Sequence, residues 1–145
     1  MLVAYQSQEK VQDPVLGTWI LNVAKSKYSP GPAPKSQRRI YEAHPQGVKA
    51  TIETVYSDGH SATIQYIANY DGVEYPVTGA PDSDAIALKR VDSRRAESTL
   101  MHAGQTMATA RRVISEDGKT MTITYEGMWD GKPSKNVAVY EKEGP

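Results

Sequence analysis

The chain has 145 residues, 17 basic and 17 acidic side chains, and no cysteine. The zero net charge excludes the long-range positive field that draws proteins to nucleic acid or anionic membranes. The missing cysteines exclude disulfides, zinc–thiolate sites and thiol catalysis. No apolar run reaches the about 18 residues of a membrane helix, so the sequence predicts one domain, residues 1–145, without membrane insertion.

The N-terminal segment, residues 1–13, is expected to be flexible. Its apolar Leu2, Val3 and Ala4 followed by polar residues are typical of the remnant of a signal peptide. This interpretation predicts a periplasmic or secreted protein. A plain terminus on a cytoplasmic protein is the alternative.

The first strand is predicted over 17–25, with Trp19, Leu21 and Val23 on its inward face. The segment 28–36 follows, with prolines at three alternate positions. Proline fixes φ and removes a hydrogen-bond donor, so we expect an extended strap. The strap is interpreted as either a lid over a barrel mouth or a stiff connector.

Period-two alternation and short turns predict the rest of the chain to be β-structure. The further strands are predicted at 37–44, 48–57, 61–70, 74–78, 85–92, 95–102, 106–115, 119–129 and 135–142. Asp-Gly pairs, which suit hairpin turns, occur at 58–59, 71–72, 117–118 and 130–131. About ten evenly spaced strands and no helical stretch predict an all-β antiparallel meander barrel, with a sandwich as the alternative.

Two segments of the chain are nearly the same. Residues 63–72, TIQYIANYDG, match residues 122–131, TITYEGMWDG. The match is interpreted as two half-barrels related by an internal two-fold repeat, with convergence of strand–turn–strand sequences as the alternative. In the symmetric case, Tyr66 and Tyr125 are equivalent and face each other across the lumen.

The opening Gly17-Thr18-Trp19, within GTWILNVAKSKY, resembles the first strand of the calycins, which include lipocalins, fatty-acid-binding proteins and avidins. The segment 137–144 resembles the closing strand of a fatty-acid-binding protein, and the whole chain is similar to bacterial lipocalin-like proteins. The resemblance implies a barrel with an internal ligand cavity. The chain also departs from these families. Its proline strap stands where fatty-acid-binding proteins have a helix pair, and Ala138 stands where they carry an arginine. The C-terminal helix of lipocalins is not predicted, and no residue after Val139 matches the basic residue that packs on their tryptophan.

The inward faces supply the candidate ligand-binding residues. They are the apolar or aromatic side chains that alternation places on the inward faces of two strands: Ile64, Tyr66, Met121, Ile123 and Tyr125. Cavities of this kind are mostly apolar with a few polar groups. The alternative for the two tyrosines is an ordinary core role.

His102 and Arg111 complete the candidate site. His102 ends a strand on the face of Leu100 and is predicted to reach the cavity as a ligand-binding residue. In the enzyme alternative it would act as a general base, which needs a pKa near the working pH and a partner within hydrogen-bond reach. Alternation sends either Arg111 or Arg112 inward, and the register of Met107 and Thr109 favours Arg111.

An interior arginine needs an anionic partner because burying an unpaired charge is costly. The candidates are a carboxylate ligand, Glu53 or Glu126. Two arginines at the barrel rim are the alternative.

The leading hypothesis is therefore a protein that binds a small, largely apolar molecule, without metal or cofactor and without nucleic acid. The histidines His44, His60 and His102 lack metal-ligand spacing. An isomerase, cyclase or lyase that uses Tyr66, Tyr125, His102 and an arginine in the same cavity is the alternative, and a solid structural module is a third. The sequence leaves the oligomeric state open, a homodimer included.

Overall fold

Eleven β-strands and one short 3₁₀ helix form the secondary structure of residues 13–129 and 131–144, which this computed structural model describes. The strands are β1 (Gly17–Leu21), β2 (Lys27–Ser29), β3 (Ser36–His44), β4 (Gly47–Val55), β5 (Ser61–Ala68), β6 (Asp71–Thr78), β7 (Ala85–Arg90), β8 (Arg95–His102), β9 (Gln105–Ile114), β10 (Thr120–Trp129) and β11 (Lys132–Lys142). The flexible segment predicted over 1–13 lies outside the described residues, except for Asp13. None of the described residues belongs to a helix long and apolar enough to cross a membrane.

Ten strands close into an antiparallel barrel. β1 pairs with β3 on one side, Trp19 opposite Arg39, and with β11 on the other, Trp19 opposite Lys142. The intervening strands follow one another around the wall in chain order. The short β2 adds to β11 beyond the end of β1, with Lys27 opposite Val137. The predicted meander barrel is therefore confirmed.

The first strand is shorter than predicted. Asn22 ends it: its side chain accepts a hydrogen bond from Lys25 N at 3.2 Å, and its carbonyl accepts one from Ser26 Oγ at 2.7 Å. These bonds favour one turn of 3₁₀ helix at Val23–Lys25 over a continued strand. Val23 is consequently 40 % exposed, and its predicted inward position is wrong.

The two ends of the barrel differ. Antiparallel pairing puts alternate connections at the same end, so the β3–β4, β5–β6, β7–β8 and β9–β10 turns share one end with Asp13–Leu16. There Trp19 is fully buried, and its Nε1 donates to the Val15 carbonyl at 2.8 Å. We call this the closed end. The opposite end, which carries the strap 30–35 and the loops 56–60 and 79–84, is called the mouth.

The densest part of the hydrophobic core fills the closed end. The largest fully buried side chains come from the segment before β1 and from strand positions towards the closed end: Val15, Trp19, Val48, Ile114, Met121 and Tyr140. Met121, predicted to bind ligand, is one of them. Large side chains thus seal one end and leave the space above them for a cavity.

The seam between β5 and β6 is the least continuous part of the wall. Only Gln65–Thr78 and Tyr66–Val77 are paired there, whereas β4 and β5 pair along their full length. The next residue along β6 is Pro76, which has no N–H to donate to a ladder. Proline at this position accounts for the early end of the pairing.

The repeated segments do not form two equivalent half-barrels. They lie in β5–β6 and β10–β11, five strands apart around a ten-stranded wall. An odd number of antiparallel steps reverses direction, so β5 runs towards the closed end and β10 towards the mouth. A two-fold axis along the barrel would preserve strand direction and therefore does not relate the copies. The two-fold repeat is not expressed as symmetry of the barrel.

Candidate ligand-binding cavity

A cavity of about 320 Å³ lies inside the barrel. This is about twice the ~150 Å³ void that holds a benzene molecule in an engineered protein core. Much of its wall is aliphatic, with Ile52, Ile64, Val77, Ile86, Leu88, Leu100 and Ile123, and four alanines contribute as well: Ala80, Ala96, Ala110 and Ala138. Alanine at inward positions leaves the centre of the barrel unfilled, because its methyl group stops well short of the axis.

Four of the seven predicted site residues line the cavity: Ile64, Tyr66, Ile123 and Tyr125. Met121 does not, because it packs in the closed-end core. His102 and Arg111 are exposed on the outside of the barrel. The inward positions predicted for the residues in β5 and for two of the three in β10 agree with this lining, and their role in ligand binding stays a prediction.

Tyr66 and Tyr125 line the cavity at different depths. Tyr66 is 8 % exposed, and its pKa is raised by burial and by nearby Tyr41, against the opposing influence of two arginines. Tyr125 is half-buried, and its pKa is raised by burial and by Asp82 of the mouth loop. Tyr66 therefore belongs to the deep part of the cavity and Tyr125 to the mouth, as expected from the opposite directions of β5 and β10.

His102 does not reach the cavity, and the prediction of an inward general base is wrong. Its Nδ1 lies 3.7 Å from Asp84 Oδ2, and both side chains are mostly exposed. The β8–β9 register shifts between Leu100 and Met101, and Met101 is the side chain buried there. The extra residue of this bulge is Met107 of β9, because Ala108 is opposite Leu100 and Thr106 is opposite Met101.

Arg112, not Arg111, is the interior arginine. It is 8 % exposed and sits beside the cavity-lining Ile123 of β10. Ala108 and Ala110 share its face, while Met107 of the other face is 36 % exposed. The prediction failed because the larger side chains of β9 point outward and the small ones border the cavity.

Arg112 has few partners for a buried charge. Its Nη2 donates to the Tyr70 hydroxyl at 2.8 Å, and its Cζ lies 5.6 Å from the ring centroids of Tyr41 and Tyr70. Its Nε is buried with no hydrogen-bond partner. Burial works against the charge, but the tyrosines outweigh it, and the pKa of Arg112 lies above its ordinary value. The side chain is therefore a cation at all physiological pH values.

Arg39 is a second interior arginine that the sequence analysis did not identify. Its Nε donates to Gln37 Oε1 at 3.2 Å and to the Tyr140 hydroxyl at 3.1 Å, and its Nη1 donates to the Tyr41 hydroxyl at 3.1 Å. The Tyr140 hydroxyl in turn donates to Gln37. The signal was present: Arg38–Arg39 is an arginine pair inside an alternating strand, like Arg111–Arg112, and alternation sends one member of each pair inward.

No carboxylate neutralises these two cations. Neither arginine belongs to a salt bridge in the described part of the chain, and Glu53 and Glu126, the predicted internal partners, are exposed. The acidic residues at the cavity, Asp82 and Glu97, are themselves exposed. Among residues 13–129 and 131–144 there is also no group of three side chains arranged to hold a metal ion.

The mouth is rimmed by aromatic rings and one loop. Tyr28 of β2, Tyr56 and Tyr125 line the cavity together with the loop 79–84, whereas residues 30–35 of the strap do not. Of the strap predicted over 28–36, the first two residues belong to β2, where Tyr28 lines the cavity, and residues 30–35 connect β2 to β3. The Tyr56 ring stacks on His60 at 4.5 Å between centroids, so His60 packs behind the rim.

The loop 79–84 is fixed to β5 at its first residue. Gly79 has a φ of +82°, and a Cβ there would lie 1.9 Å from the carbonyl oxygen of Thr63. Only glycine combines this backbone conformation with so close an approach.

Trp19 has a basic partner that the sequence analysis missed. Lys142 Nζ lies 5.5 Å from its ring centroid, in cation–π geometry. The register explains the contact, because Lys142 is directly opposite Trp19 in the β1–β11 ladder. Ala138, two residues before Tyr140, lines the cavity. Comparison with protein-family models, curated proteins and solved structures finds no match to this chain.

Proposed function

We propose that this protein binds a small, largely apolar molecule inside its barrel. The observation that carries the proposal is the cavity of about 320 Å³, walled by aliphatic side chains and rimmed by tyrosines. Ligand sites in proteins are concave, mostly apolar and provided with a few placed polar groups, and their volumes begin at roughly 300 Å³. A solid structural module would instead fill this space with side chains, since an empty cavity is destabilising.

The calycin resemblance supports the same proposal. Gly17 takes a φ of +123° as the chain enters the barrel, Trp19 plugs the closed end, and Lys142 covers Trp19. Lys142 thus corresponds to the basic residue of lipocalins that the sequence alone did not reveal. We therefore propose a calycin-like binding protein, in which the closed end is structural and the mouth admits the ligand.

The enzyme hypothesis is less well supported. All three histidines lie outside the cavity lining, which leaves Tyr66, Tyr125 and an arginine as the ionisable groups of the original hypothesis. The pKa of both tyrosines is raised, the opposite of what a tyrosine base needs at neutral pH. The geometry therefore favours binding.

Titration with the neutral fluorescent dye N-phenylnaphthylamine tests the proposal. We expect a saturable one-site fluorescence increase that Ala110→Phe abolishes, because Ala110 lines the cavity and a phenyl ring there would fill it. Thr109→Phe is the matched control, since Thr109 is the adjacent, exposed residue of β9 and the same ring would point to solvent. A wild type that does not bind, or an Ala110→Phe variant that binds equally well, would overturn the proposal.

Native mass spectrometry of the purified protein gives an independent readout. A mass above that of the denatured chain, present in wild type and missing in folded Ala110→Phe, identifies a molecule carried in the cavity. The mass difference then gives the molecular mass of the carried molecule, which candidate ligands must match.

A further inference from the structure

Arg112 has donor capacity that the protein does not use. Its Nε is buried without a partner, while Nη2 is engaged by Tyr70. Buried polar groups are almost always hydrogen-bonded, so an unpartnered guanidinium nitrogen in a cavity wall needs an explanation. An acceptor supplied by a ligand explains it.

The two interior arginines differ in this respect. Arg39 is held by three acceptors, Gln37, Tyr41 and Tyr140, so its role in the described structure is to tie β3 to β11. Among the described residues, Arg112 has one hydrogen-bond acceptor, Tyr70, and its buried Nε has none. The buried guanidinium nitrogen without an acceptor therefore belongs to Arg112.

The charge of the inner cavity points in the same direction. Two guanidinium cations line it, and the acidic lining residues Asp82 and Glu97 are exposed. The tyrosines around the arginines are neutral, since burial raises the pKa of Tyr66 and Tyr70. An anion in this space would meet positive charge and hydroxyl donors at once, with little competition from water.

Building on the proposed function, we infer that the ligand carries an anionic oxygen group, a carboxylate, sulfate or phosphate, which binds Arg112 in the inner part of the cavity beside Tyr66. The apolar part of the ligand then extends past Ile123 and Tyr125 towards the mouth. Ile123 is the cross-strand neighbour of Arg112, so the change from charged to apolar wall occurs within one residue pair. The bound class is an amphipathic organic anion.

Competition between decanoate and decanol for bound N-phenylnaphthylamine tests the inference. The two competitors share one alkyl chain and differ in the charged group. We expect decanoate to displace the dye from wild type at a concentration at least about tenfold lower, since hydrogen bonds between charged groups are the strong ones. Decyl sulfate and decyl phosphate, used below their aggregation concentrations, distinguish the kind of anion.

Arg112→Met assigns the preference to one residue. Methionine keeps much of the apolar stem and removes the charge, so decanoate and decanol should then compete within about threefold of each other, because the charge-assisted bonds are gone. Arg111→Met is the matched control: the adjacent, exposed arginine carries the same charge, and its loss should leave the preference intact.

A measurement on wild type alone covers the case in which Arg112→Met does not fold. Lowering the pH through the pKa of decanoate protonates it, so decanoate should no longer displace the dye at a lower concentration than decanol. Decyl sulfate stays ionised and should still displace the dye at a lower concentration than decanol. Equal competition by decanoate and decanol in wild type, or a preference that survives in folded Arg112→Met, would overturn the inference and leave the proposed function standing. Binding of neither compound nor dye would instead refute the proposed function.

Discussion

Arg112 donates a hydrogen bond of 2.8 Å to the hydroxyl of Tyr70. The ring centroid of Tyr70 lies 3.9 Å from the guanidinium carbon of Arg90, a residue at the surface. Arg90 is in turn paired with Asp13 at 2.7 Å. One tyrosine ring thus separates a buried cation that has no counter-ion among the described residues from a surface cation that has one. The inner arginine is accordingly the group whose removal should change both binding and stability.

Arg112→Met should stabilise the empty protein, by about 1 kcal/mol or more, because replacing buried charges with apolar side chains is often neutral or stabilising. Residues kept for binding frequently have this cost. Urea denaturation of ligand-free protein measures the change, with Arg111→Met expected to stay within about 0.5 kcal/mol of wild type. A large loss of stability in Arg112→Met alone would mean that the side chain is structural.

Gly79→Ala should destabilise the mouth loop more than Gly72→Ala destabilises the β5–β6 turn. Both glycines have a positive φ, +82° and +76°, so both variants carry similar backbone strain, of about 1 kcal/mol. Only at position 79 would the new Cβ meet backbone, 1.9 Å from the Thr63 oxygen; at position 72 nothing lies within 4 Å. We expect the loss of unfolding free energy in Gly79→Ala to exceed the loss in Gly72→Ala by at least about 1 kcal/mol. Equal losses would show that the loop moves freely.

Tyr140→Phe should cost about 1–3 kcal/mol of unfolding free energy, because it removes a buried hydroxyl that joins Arg39 to Gln37. Tyr125→Phe is the comparison, since its hydroxyl lies at the half-buried mouth, and we expect a change below about 0.5 kcal/mol. Chemical denaturation of the two variants gives the difference. A Tyr140→Phe protein as stable as Tyr125→Phe would exclude a structural role for this network.

Acid should weaken the fold partly through Asp117 in the β9–β10 turn. Its carboxylate accepts hydrogen bonds from Ser115 Oγ at 2.6 Å and Lys119 N at 3.0 Å, which hold its pKa below the ordinary 3.8. Because the folded state binds this proton more weakly than the unfolded state, the contribution is complete above pH 3.8 and is lost as the pH falls through the folded pKa.

The Asp117 prediction is checked by unfolding Asp117→Asn and wild type at several pH values. The variant should be less stable at neutral pH, and the gap should close on acidification below pH 3.8. Glu116→Gln removes an exposed charge next to Asp117 without touching these turn bonds and should show no such closure. A gap that stays constant with pH would exclude Asp117 as the group responsible.

The ten strands of the barrel wall were predictable because each has its own local signal, whereas the short β2 lies partly in the segment predicted to be a strap. Alternation of apolar and polar residues, interrupted by Asp-Gly turns, locates strand ends to within a few residues. The signal failed at Asn22, where a side-chain hydrogen bond competes with the ladder, and at the end of β8, where a bulge at Met107 of β9 shifts the register between the two strands. Both events depend on partners that a period-two pattern does not contain.

The cavity was harder to predict than the wall. Hydrophobic size predicts which face is buried in a filled core, and by that criterion Met107 outweighs Ala108 and Ala110. A cavity reverses the rule, because small residues border the empty space. Arg39 escaped notice for a related reason: its stabilising partners come from β3 and β11, which are far apart in sequence and adjacent only after the barrel closes.

The pairing of Trp19 with Lys142 has a consequence for how the fold is reached. Wall closure joins the first strand to the last, so the contact of longest sequence separation in the barrel is the one that completes it. Barrels dominated by such non-local contacts fold slowly, because loop entropy is lost before the closing contacts form. On a ribosome, β1 can pair with β3 early, but its other edge stays unpaired until β11 has been synthesised. Until then the chain has two unpaired strand edges, and the surface that later lines the cavity is open to other proteins.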